Sequence, residues 1–335
     1  MALCRLRSRY GRFATVIAAG TILSGCAQGS FTTQSQRIAY DDPSDSCHAE
    51  VVALDSTGNF FSAQILTGAA IGAGVGALAG GLIGGDWRGA LIGAGTGAVV
   101  GGTAAYWSAL QQQQMDQAAL YTRVSGDLVR ENGQIDRTQI AYDRLVDCRF
   151  RQAAAVREAY RARQLDRSQA EAQMAVIRQR TAGDQRLARM INQQIQDRGQ
   201  QFMVATENLG PGAPPPAPPP TRTVTVRHAA ALKLTPDPSA PDIGQLAARQ
   251  HVTVSGGRNG YALVQTTGGQ RGYAAVDDLT GTGVRSVAVA STGTASATSS
   301  NVHTLAGSNA ARRDDFAQSV AVTEQAQTSG FELTG

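Results

Sequence analysis

Along this chain the spacing of apolar positions changes from segment to segment. Between Ile65 and Gly102 apolar residues alternate with glycines at every fourth position: Gly68, Gly72, Gly76, Gly80 and Gly84. After a charged break at Gly85-Asp86-Trp87-Arg88 the repeat resumes at Gly89, Gly93, Gly97 and Gly101. Residues four apart share one helix face. The pattern therefore predicts two helical arms, each with a smooth glycine ridge, folded into a hairpin over residues 60–107. As helices, residues 65–84 and 88–107 would each be about 30 Å long, the thickness of a bilayer's hydrocarbon core. Phe60, Phe61, Tyr106 and Trp107 gather at the open end and Trp87 marks the tip, as in an interfacial aromatic belt.

Glycine costs about 1 kcal/mol against alanine in a water-exposed helix, so these arms need tight packing or lipid to form. The apolar residues of the first arm, among them Ile65, Ile71, Val75, Leu78 and Leu82, contribute roughly −2 to −4 kcal/mol towards insertion. A lone arm is marginal. A membrane-inserted packed hairpin and a hairpin buried in a protein bundle both remain open. A phosphate-binding reading of Gly72-Ala73-Gly74 or Gly93-Ala94-Gly95 fails, because no strand precedes them and the period of four continues.

From Ala104 to Asn208 glycine nearly disappears and the apolar spacing alternates three and four, through Leu110, Val124, Leu128, Ile135, Tyr142 and Leu145. This predicts a helical or coiled-coil stalk over 108–208, continuous with the second zipper arm. Ser168-Gln169-Ala170-Glu171 matches a capping box for a second helix, with a kink expected at Ala182-Gly183-Asp184. Residues 209–221, with GPGAPPPAPPP, read as an extended polyproline spacer. Residues 222–280 switch to period two in short runs separated by Pro, Gly, Asp and Asn, predicting a small all-β unit. Residues 281–335 are rich in Ser, Thr, Ala and Gly, and predict a low-complexity, disordered tail with a transient helix over Ala310 to Gln327.

The N-terminus changes how composition is read. Arg5, Arg7, Arg9 and Arg12 precede an apolar core at Phe13 to Leu23, which ends in Leu23-Ser24-Gly25-Cys26. This resembles the signal peptide and cleavage box of bacterial lipoproteins. The resemblance implies removal of residues 1–25, a lipid on Cys26, and a tether over 26–59. Ala27, where inner-membrane retention usually has Asp, leans towards the outer membrane, facing the periplasm. The formal net charge is +4. The four arginines of the signal account for it, so the mature chain is near neutral and a nucleic-acid partner loses its support. Cys4 leaves with the signal and Cys26 takes the lipid, so Cys47 and Cys148 remain in a compartment that permits disulfides. We expect them to pair, two buried free thiols being the alternative.

The zipper segment resembles the glycine-zipper two-helix domain of envelope lipoproteins, including the rickettsial surface-antigen type. The β unit resembles bacterial SH3 (SH3b) domains. The residues that carry this are the loop Thr235-Pro236-Asp237-Pro238, Ile243-Gly244-Gln245-Leu246, the steps Gly260-Tyr261 and Gly272-Tyr273, and the closing Asp278-Leu279. That family often binds peptidoglycan or peptides, which makes Tyr261, Tyr273 and Asp277 the ligand candidates; tyrosines stand where the family usually has tryptophan. His48, His228, His251 and His303 fall in four separate segments, none beside a nucleophile or a carboxylate pair. No zinc-spaced Cys/His set exists.

The sequence thus predicts a multidomain α plus small all-β protein, with no cofactor, no metal and no catalytic residue. The expected function is a non-enzymatic, lipid-anchored envelope protein. Its partners would be the membrane, peptidoglycan or an envelope protein, and further copies of itself. The alternative is an oligomeric membrane channel or secretion component built from the zipper helices.

Overall fold

The computed structural model describes residues 33–63, 65, 103–210, 221–280 and 301–333. Cys26, the signal segment, the glycine ridges from Gly68 to Gly101 and the proline run 211–220 lie outside the described residues.

Six helices are described: α1 Gln34–Arg37, α2 His48–Ser62, α3 Ala105–Gln111, α4 Gln117–Arg161, α5 Arg167–Asn208 and α6 Val302–Gly330. Polar caps fix their starts. Asp116 accepts from Ala119 N at 2.7 Å to open α4. Asp166 and Gln169 form a reciprocal capping box that opens α5. The box therefore starts two residues before the expected Ser168. The straight run from the zipper into the stalk is also interrupted. Gln114 takes a positive φ of 49° between α3 and α4, a conformation that ends a helix.

The long helices α4 and α5 are antiparallel, as the pairs Glu131–Arg198, Tyr142–Gln185 and Arg149–Asp184 require. They do not form a stalk. α2 packs along one side of the pair and α6 along the other, giving a four-helix body. Its core holds Val51, Leu54, Tyr142, Leu145, Ile191 and Phe316. No kink occurs at Gly183, where α5 is continuous. Gly183 instead admits the ring of Tyr40; a Cβ there would lie 2.1 Å from Tyr40 Cδ2.

Two expectations about the ends are corrected. The tether over 26–59 is folded from Thr33 onward: α2 is part of the core, and residues 33–47 fold back against it. Of the tail expected to be disordered over 281–335, the described part is a helix over Val302–Gly330, with Phe316, Val320 and Val322 buried; residues 281–300 lie outside the described residues. α6 is enclosed by α4, α5 and the sheet, and much of what it buries is small or polar, including Asn309, Ser319 and Thr323. A helix covered on several sides by such residues has no single apolar stripe, so periodicity could not reveal it.

The β unit is a seven-stranded antiparallel sheet in the order β3-β2-β6-β5-β4-β1-β7. Its strands are β1 Arg222–Val226, β2 Ala230–Lys233, β3 Asp242–Leu246, β4 His251–Arg258, β5 Tyr261–Thr266, β6 Arg271–Ala275 and β7 Leu279–Thr280. The β4–β5 turn is Asn259-Gly260, both with positive φ, the pairing that suits a two-residue hairpin. Alternate residues face two ways. Val224, Val252, Val254, Ala262, Val264 and Ala274 close a small core of their own, while Leu234, Leu263 and Tyr273 pack on the helical body.

Candidate functional site

The feature with most functional content is the end of the body from which the zipper leaves and to which it returns. α2 delivers the chain there at Ala63 and Ile65; α3 receives it at Ala105. Ile65, Tyr106, Leu110, Val124, Leu128 and Phe202 form a separate apolar cluster at this mouth, with Trp107 packed on its edge. Tyr106 and Phe202 are in tilted ring contact at 5.2 Å.

Buried charge fixes both strands of the mouth. Arg198 of α5 donates to Ala63 O at 2.5 Å, where α2 ends, and pairs with the buried Glu131 at 2.8 Å. Its guanidinium also lies 4.9 Å from the Phe60 ring centroid, within cation–π range. On the returning strand, Tyr106 donates to Asp127 at 2.8 Å, and Arg123 and Arg130 flank the same carboxylate. Burial, then the charge of Asp127, raise the Tyr106 pKa, so it stays a donor.

The far end of α2 carries a second fixed point. Cys47 and Cys148 form a disulfide, as the sequence led us to expect. Next to it, the fully buried Arg149 reaches Asp184 at 2.6 Å, Asp41 at 3.3 Å, and Asp45. Tyr40 donates to Asp184 at 2.8 Å, and His48 Nδ1 lies 2.7 Å from Asp41. Burial alone would lower the Arg149 pKa; hydrogen bonds and charge from Asp184 and Asp45 outweigh it and raise it. α2 has 15 residues, so this knot sits about 22 Å along the helix from the zipper mouth. The disulfide therefore braces the body away from the mouth and does not set the mouth's own geometry.

The structure separates the three ligand candidates of the β unit. Tyr273 is only 2% exposed, with its hydroxyl 3.0 Å from Ser319 Oγ of α6. Arg258 lies 5.7 Å over its ring and is paired with Asp143 of α4 at 2.9 Å. Burial raises the Tyr273 pKa. Tyr273 is thus an internal contact between sheet and helices. Tyr261 is half-buried at the start of β5, and Asp277 is exposed in the 3-10 turn Val276–Asp278. On the same junction Thr235 donates to Asp147 at 3.1 Å. Burial pushes the Asp147 carboxyl up to about 6.

Sequence reasoning missed Arg149, Arg198, Asp127 and Asp184. Glu131, three residues after Leu128 and four before Ile135 on the apolar stripe, is a sequence signal of a buried charge. Among the described residues no group of three or more His, Cys, Asp or Glu side chains could hold a metal ion. Among them, too, no helix is long and apolar enough to cross a membrane.

No curated protein and no solved structure matches the chain. A family model described as YMGG-like Gly-zipper matches residues 50–108, a span that takes in most of α2, the whole glycine repeat and the start of α3. Residues 50–108 are therefore a YMGG-like glycine-zipper domain, set into the end of a four-helix body.

Proposed function

We propose that this protein is a non-enzymatic, lipid-anchored envelope scaffold, held in the outer membrane by Cys26 and the zipper hairpin and facing the periplasm. The observation that carries this reading is the mouth: the zipper enters and leaves at one end of the body, where buried Arg198 and Tyr106 hold its two strands. A glycine-zipper domain is itself a sign of membrane association.

The folded N-terminal arm fits the same arrangement. Arg37 pairs with Asp55 at 2.6 Å, well along α2 from Cys47. From Asp55 to Ala63 is about 12 Å of helix. Between Cys26 and Thr33, the cap of α1, seven residues reach at most about 23–25 Å. A lipid on Cys26 and the zipper can thus enter one membrane surface together, and two such signals give stable anchoring.

The β unit braces the body through Tyr273, Arg258 and Thr235. The sheet edge at Tyr261, half-buried against the helical-body cluster, and the exposed Asp277 form the rim offered to cell wall or a protein partner. The test is metabolic labelling with an alkyne fatty acid, combined with membrane flotation. Cys26→Ser abolishes labelling on this reading; unchanged labelling sinks the lipid anchor. Retention of a Tyr261→Ala, Asp277→Ala variant on isolated cell wall equal to that of the parent removes the rim as a wall contact.

A further inference from the structure

Arginines recur at every seventh position along α4: Arg123, Arg130, Arg137, Arg144 and Arg151. Successive rungs lie about 10 Å apart, and the ladder runs for about 42 Å. The first two rungs share one carboxylate within the chain, since Arg123 and Arg130 flank Asp127. The other three are exposed. Arg137 donates to the amide oxygen of Gln134 at 3.0 Å. None of Arg137, Arg144 and Arg151 makes a direct ion pair among the described residues, although Arg151 lies close enough to Asp147 for its charge to act on that carboxyl. Other arginines on the helices do find carboxylates, as in Arg167–Glu171, Arg189–Glu324 and Arg312–Asp136.

The acids of α4 are turned another way. Asp136 pairs with Arg312 of α6, Asp143 with Arg258 of β4, and Asp147 accepts from Thr235. The carboxylates of α4 are thus engaged by α6 and the sheet, although Asp136 is also exposed, while Arg137, Arg144 and Arg151 face solvent. On the same outward face, and eleven residues apart, Val129 and Ile140 are large apolar residues left 37% and 51% exposed.

We propose that this face of α4 docks an acidic helix of a partner protein, with carboxylates at seven-residue intervals opposite Arg137, Arg144 and Arg151 and apolar side chains covering Ile140. A seven-residue stripe drifts by about 20° per step on a straight helix. A partner helix that wraps left-handedly follows that drift and stays in register. A lipid surface at the zipper mouth would meet first the rungs nearest it, Arg123 and Arg130, which are already engaged by Asp127. A second copy of the chain does not fit, because the sequence contains no three acids at successive seven-residue spacings.

The probe is a synthetic 28-residue helical peptide with Glu at every seventh position, against a permuted peptide of identical composition without that spacing. Binding to the full chain in non-ionic detergent is read by fluorescence anisotropy. The laddered peptide binds about tenfold more tightly than the permuted one, as three exposed ion pairs of ordinary strength require, and the preference falls with salt. Arg137→Gln, Arg144→Gln, Arg151→Gln removes the preference. The charge-matched control Arg163→Gln, Arg167→Gln, Arg249→Gln, at other exposed positions, retains it. Equal binding of the two peptides, or equal loss in the control, overturns the proposal.

Discussion

Removing the disulfide is expected to cost this body more than any other small covalent change. Cys47 and Cys148 are 101 residues apart in sequence. A cross-link closing a loop of about 100 residues lowers the entropy of the unfolded chain by the equivalent of about 4.7 kcal/mol. The native geometry should survive its loss at first. Cys47 is fully buried against α4, and Arg149, one residue from Cys148, still gathers Asp41, Asp45 and Asp184. The cost therefore falls on the free-energy difference and not on the fold. The assay is urea unfolding of the Cys47→Ser, Cys148→Ser double variant in detergent, followed by far-ultraviolet circular dichroism. A stability loss of about 3–5 kcal/mol is predicted, with a melting temperature lower by roughly 6–20 °C if each kcal/mol moves it by 2–4 °C. The parent under reducing conditions should reach the same midpoint. A loss below about 1 kcal/mol would refute the reasoning, because residues 33–63 would then be held without help from the cross-link.

Two further outcomes follow from buried groups. Asp147 has its pKa pushed up to about 6 by burial, above its ordinary value of 3.8. The folded state then binds more protons than the unfolded one between about pH 4 and 6, so this group's contribution is present at low pH and is lost as pH rises through 6. Asp147→Asn should accordingly stabilise the protein by about 2 kcal/mol at pH 8 and change little at pH 4; equal urea midpoints for parent and variant at pH 8 would contradict this. Phe316 of α6 is fully buried and in edge contact with Tyr142 at 5.6 Å, so Phe316→Ala should cost about 3–5 kcal/mol in the same unfolding assay, whereas a negligible change would return residues 302–330 to a dispensable tail.

What could be read in advance depended on how each element meets its surroundings. The strands were legible because each is a short run bounded by turn residues: Tyr261 to Thr266 lies between an Asn-Gly turn and a Gly-Gly turn. The α4 stripe through Val124, Leu128, Ile135, Tyr142 and Leu145 was legible because one face of that helix packs into the body and the other meets solvent. α6 was not, because it is enclosed on several sides and lacks a stripe. Arg149 and Arg198 were not, because a buried charge is recognised by its partner, and theirs lie 35 and 67 residues away. Tyr273 was legible as an aromatic step in a strand. Which neighbour would cover it depended on α6, the element that periodicity could not show.

The central claim is that the zipper mouth lies at a membrane surface with the hairpin inserted beyond it. The chain has two tryptophans. Trp107 packs at the edge of the mouth, and Trp87 stands in the charged break of the sequence between the glycine repeats. Trp87→Phe and Trp107→Phe each leave a single reporter. The measurement is quenching of each by lipids brominated at defined depths, with the lipidated protein reconstituted into vesicles. The account predicts that Trp107 is quenched most by bromines near the headgroups, and that Trp87 is quenched by bromines in the membrane and shielded from iodide added to the outer solution. If brominated lipids leave both unquenched and iodide reaches both, the hairpin does not enter the membrane and the account is contradicted.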